Sequence, residues 1–116
     1  MTGLRPWREI KAAIQELEEI QALGVTVAGR WLANLATPAI VCVPVRRVEL
    51  RGSSVRWELA LQVIVGVQDD EDETVHALLE LVLPALPAGV IRGDTVYGQD
   101  DRAGGSYVVS TTTLSV

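Results

Sequence analysis

Between Val55 and Val67 the chain alternates with period two. Val55, Trp57, Leu59, Leu61, Val63, Val65 and Val67 hold the odd positions; Arg56, Glu58, Ala60, Gln62, Ile64 and Gly66 hold the even ones. Successive side chains of a strand point to opposite faces, so the pattern predicts a long strand with one face on a core. Before it, Ala39 to Leu50 reads as a second strand with a fault in its middle. Val41, Val43 and Val45 share one parity, whereas Val48 and Leu50 share the other. A β-bulge near Arg46-Arg47 restores a single face by adding one residue. Pro44 has no N–H to give to a ladder, which places this strand at an edge or makes it locally irregular. Gly52-Ser53-Ser54 reads as the turn joining both strands into a hairpin. Strands of about 5–6 residues are usual, so a hairpin this long is expected to reach past a small core.

Two segments change period from two to between three and four. In Pro6–Leu23, Trp7, Ile10, Ile14, Leu17 and Gln21 form a stripe flanked by Ala13 and Ile20, which predicts a helix. Pro6 suits its first turn and Gly24 its C-terminal cap. In Thr74–Leu86, Val75, Leu78, Leu79, Val82, Leu83 and Leu86 form a wide apolar face. The acids before it complement a helix N-terminus, and Asp69 or Asp70 is a suitable cap. Pro84 is expected to break its last turn. Val25–Val27 reads as a short strand, and Arg30–Leu35 as either a helical turn or a loop. Asp94–Gln99 and Ser106–Leu114 read as two more strands around a polar loop. The order helix, hairpin, helix, hairpin predicts one α+β domain over residues 1–116. Its sheet is expected to be mostly antiparallel and four-stranded, with two helices on one face and a long β-hairpin.

Composition narrows the chemistry. The chain has 116 residues, 48% of them hydrophobic, and no Phe, so its core must rest on Val, Leu, Ile and Ala. A net charge of −5 argues against a nucleic-acid-binding surface, which needs clustered positive charge. Cys42 is the only cysteine; in its apolar run it is expected to be a buried thiol. No apolar run approaches the roughly 20 residues of a membrane helix, and Met1–Arg8 carries no apolar signal core. The chain is therefore expected to be cytosolic when made and not to meet a membrane.

The chain carries none of the short motifs that announce chemistry. The acidic run lacks the glycine and ligand spacing of a calcium loop. His76 has no second His or Cys for a shared metal. There is no Gly-x-Ser-x-Gly pattern and no phosphate loop. The expectation is no catalytic, cofactor-binding or metal-binding residue, hence no cofactor and no enzyme. Charge placement is more informative. Arg46, Arg47, Arg51 and Arg56 cluster on the hairpin, and Asp69, Asp70, Glu71, Asp72 and Glu73 lie at the far end of the same arm. They are either two independent solvated patches or complementary halves of a contact between copies. In the second case Val48, Leu50 and Val55 supply apolar contact, and a head-to-tail interface closes into a ring where the rotation permits.

Taken together, "TPAIVCVPV", the long "VRWELALQVIVGV", the acidic "QDDEDETV", the Leu-rich "HALLELVLPAL" and the final "SYVVSTTTLSV" resemble the tail terminator family of long-tailed bacteriophages over nearly the whole chain. The resemblance implies a structural virion protein that forms a hexameric ring from copies of itself. Such a ring caps the head-proximal end of the tail tube, stops polymerisation of the tube protein and presents a surface to head-closure or neck proteins. DNA passes through the ring without specific binding. It also implies assembly in the bacterial host cytoplasm. Another ring component of the head–tail junction is the nearest alternative. A small ligand-binding α+β module is an alternative of a different class.

Overall fold

The computed structural model describes residues 6–30, 36–52, 54–67, 71–102 and 105–116. Among them, three α-helices and a five-stranded mixed sheet make an α+β fold. The helices are α1 (Pro6–Gln15), α2 (Glu18–Ala22) and α3 (Glu71–Val82), the last running into a 3-10 turn at Leu83–Ala85. The strands are β1 (Thr26–Ala28), β2 (Ala39–Glu49), β3 (Val55–Gly66), β4 (Ile91–Arg102) and β5 (Gly105–Ser115). They lie side by side in the order β1-β2-β3-β5-β4.

Two details depart from the sequence expectation of four strands and two helices. The short strand read at Val25–Val27 pairs parallel with β2, Thr26 opposite Ala39, which makes the sheet mixed and gives it a fifth strand. The first helix is also broken. Leu17 adopts an extended backbone between α1 and α2. In an unbroken helix Ile20 would sit about 120° around the axis from Ile14. The break lets Ile10, Ile14 and Ile20 all reach the same core, where each is fully buried. Gly24, with φ +68, then closes α2: its N–H bonds to the Gln21 carbonyl and that of Val25 to the Ile20 carbonyl. This is the paired hydrogen bonding of a Schellman ending.

β3 is the centre of the molecule. Leu59, Leu61, Val63 and Val65 share one cluster with Ile10 and Ile14 of α1, Ile20 of α2, and Val75, Leu78, Leu79 and Val82 of α3. All three helices therefore cover the face that the odd positions of β3 present. The opposite face holds a smaller cluster of Ala39, Val41, Ile64 and Val109.

The bulge falls between Pro44 and Arg46, so Val45 is the extra residue, 65% exposed. Beyond it Val48 stands opposite Arg56 on the face of Val41 and Val43, which is the restoration the parity change called for. β1 covers β2 only from Ala39 to Val41; past that, Pro44 sits on an edge free among the described residues. β4 is also longer than its apolar residues suggested. It carries its own irregularity between Arg92 and Thr95, where a Cβ at Gly93 would lie 3.2 Å from the Thr113 carbonyl oxygen.

Candidate subunit interface

β3 extends beyond its neighbour. β5 accompanies it from Gly66 to Glu58, and Trp57 closes two backbone hydrogen bonds with Val116. The last ladder pairs, Val48–Arg56 and Glu49–Val55, belong to the hairpin alone. The molecule measures 50 × 29 × 23 Å, its length suited to 12-residue strands at about 3.3 Å per residue.

Four arginines sit on this arm, but three are already engaged within the chain. Opposite each other in the ladder, Arg46 and Glu58 form a two-pronged pair of 2.9 and 3.0 Å. Arg56 approaches the same carboxylate at 3.4 Å. Arg47 pairs with Glu49 at 2.6 Å, two residues along on the same face. The hydrogen bond from Arg46 holds the Glu58 carboxyl below the usual carboxylate range, and Glu58 in turn raises the Arg46 guanidinium. Glu58 is half-buried and the other groups are exposed, so the pairs fix geometry more than they add stability. Arg51, in the exposed turn, forms no ion pair among the described residues. Leu50 and Val55 flank it, 45% and 37% exposed, and Val48 is half-buried.

The acidic half of the expected interface is placed in part. Asp72 and Glu73 are exposed on the first turn of α3. Asp69, Asp70 and the Glu71 side chain lie outside the described residues. α3 begins at Glu71 rather than Thr74, so the acids at 71–73 form its first turn. Sequence reasoning missed Glu49 and Glu58 as partners of the arginines. The signal was present, since Glu49 is two residues from Arg47 and two-apart residues share a strand face.

Elsewhere, Cys42 is buried against the helix-covered core, and that burial pushes its thiol up to about 12. Such a thiol carries almost no thiolate near neutrality. His76 is exposed on α3, its ring 5.4 Å from that of Tyr97. Among the described residues no three His, Cys, Asp or Glu side chains are grouped to hold a metal ion, and no helix is long and apolar enough to cross a membrane. A cleft of about 360 Å³ runs between α3 and β4, with His76, Leu79, Leu83, Arg92, Thr95 and Tyr97 among its walls. The chain matches no known protein family and no curated protein sequence.

Proposed function

We propose that this protein is a structural, non-catalytic subunit that assembles into a ring capping the head-proximal end of a phage tail tube. The observation that carries the reading is the β2–β3 arm. It leaves the sheet with exposed Leu50 and Val55 beside Arg51, which forms no ion pair among the described residues, a combination suited to seating on a neighbouring copy. The element order that resembles tail terminators supports the same reading. The contact is mainly apolar, because exposed ion pairs contribute only about 0–1 kcal/mol each. Arg51 adds register against an acidic surface such as Asp72 and Glu73 of the next copy. The tube protein and a head-closure or neck protein are the proposed partners on the two sides of the ring, and DNA passes through its hole.

Mass measurement in solution together with negative-stain imaging tests this. Rings with a central hole that bind the end of a tail tube are the expected result. A protein that stays monomeric or dimeric at every concentration overturns the ring. Rings that bind the head side but leave tube length unregulated favour the neck protein instead.

A further inference from the structure

The two long edges of the sheet are finished differently. The free part of β2 carries Pro44, the Val45 bulge, Arg46 and Arg47, all features that discourage strand addition. β4 has its own irregularity between Arg92 and Thr95 and charges towards both ends, but from Thr95 to Gln99 it is regular, with no proline and no charge, and its outer edge is free among the described residues. Val96 and Tyr97 at its centre are 67% and 50% exposed. A strand of this kind is a template for another strand.

We propose that β4 pairs antiparallel with β4 of a second copy about a two-fold axis at Tyr97, joining two sheets into one. The residue pattern selects both the partner and the register. On the helix-covered face β4 presents, in order, Arg92, Thr95, Tyr97, Gln99 and Asp101, since these stand opposite Leu114, Thr112, Ser110, Val108 and Ser106. With the extra residue at Gly93-Asp94 absorbed by the bulge, an axis at Tyr97 sets Arg92 against the partner's Asp101 and Thr95 against the partner's Gln99. By symmetry each pairing occurs twice. Moving the axis to Val96 or Gly98, the nearest registers that keep the faces aligned, separates Arg92 from the partner's Asp101. On the open face Val96 meets the partner's Gly98, where nothing lies within 4 Å of a Cβ position. Arg92 makes no ion pair among the described residues. Asp101 accepts hydrogen bonds from Ser106 and Gln99 and faces solvent.

Continuation onto the free edge of β2 is the competing arrangement; Pro44 and the Val45 bulge obstruct it, and charge adds nothing in its favour. Arg46, Glu58, Ser115 and Ile91 stand in one row across the ladders. At equal height that arrangement brings Arg92 close to Arg46 and Arg47 of the next copy. The two-fold register has one unfavourable pairing, Asp94 against the partner's Asp100. This supplies a variant expected to tighten the contact. The pairing does not rest on the ring reading, because it uses the opposite edge of the sheet from the arginine arm.

The test is self-association of the full chain by sedimentation velocity over a concentration series, with hydrogen exchange read separately for residues 95–99 and 47–56. Exchange in 95–99 is expected to slow as concentration rises. Arg92→Glu and Asp101→Arg should each weaken this association by about tenfold or more through like charges opposed across the contact. The combined R92E/D101R chain should recover it, and Asp94→Asn should strengthen it, a gain that misfolding would not mimic. Protection confined to 47–56, single variants that associate like the parent, or a double variant that fails to recover would each overturn the edge pairing.

Discussion

The two halves of β3 share one alternation and have opposite surroundings. From Leu59 to Val65 the odd side chains are at most 1% exposed and lie under all three helices. From Val55 to Glu58 the strand keeps the rhythm but sits mostly in water, with Val55 37% exposed and Arg56 exposed. Trp57 marks the boundary, half-buried with its ring 5.0 Å from Trp7 in an edge-to-face contact. Alternation thus tells which way a side chain points and leaves open how far along the strand the core extends. That limit is set by the helices and by where β5 ends.

Each half makes a different demand on experiment. Cys42, opposite Leu61 in the ladder, reports on the buried half. With its thiol buried and pushed up to about 12 by that burial, Cys42 should be alkylated far more slowly near pH 8 in the folded protein than in the unfolded chain, because the reagent needs an accessible thiolate. Rapid labelling of the folded protein would show that this half opens readily. Leu61→Ala, at a side chain with no exposure, should cost about 2–5 kcal/mol in denaturant unfolding. Trp57→Ala should cost about half of the roughly 3–5 kcal/mol of a fully buried tryptophan. A loss there equal to that at Leu61 would move the core boundary outward.

Glu58→Gln should have the smallest effect on stability. Its carboxyl pKa is depressed by Arg46, so its contribution is present above the unfolded carboxylate value of about 4.3. The contribution is lost as pH falls through the folded value. The parent should therefore be slightly more stable than the variant from neutral pH down to this window, and the two unfolding curves should converge as pH falls through it. A difference that stays constant through this window would mean that the Glu58 charge is not what the substitution removes.

What could be read beforehand follows the same division. β3, the hairpin, the bulge and the apolar faces of α1 and α3 were legible because each packs one face on the core and so leaves a period in the sequence. β4 was read as Asp94–Gln99 because both its faces are exposed over most of its length, and nothing constrains such a strand to alternate. The parallel pairing of β1 left no signal in three residues. The break at Leu17 is a tertiary demand, visible only once Ile20 has a core to reach. On the hairpin arm the arginine cluster was legible, and the carboxylates that engage it within the chain were not. The Arg46–Glu58 pair depends on which residue the bulge leaves out of the ladder.

Val45 is that residue, and its position carries a consequence for how the arm is aimed. Every ladder pair on either side of it, Pro44 with Leu59 and Arg46 with Glu58, would survive its deletion. The faces would keep their residues, and the ion pair would keep its partners. What would change is direction, because an inserted residue bends its strand and adds right-handed twist. One side chain with no ladder partner therefore sets the bearing of everything from Arg46 to Arg56, and a chain lacking it would carry the same contact surface pointed at a different place.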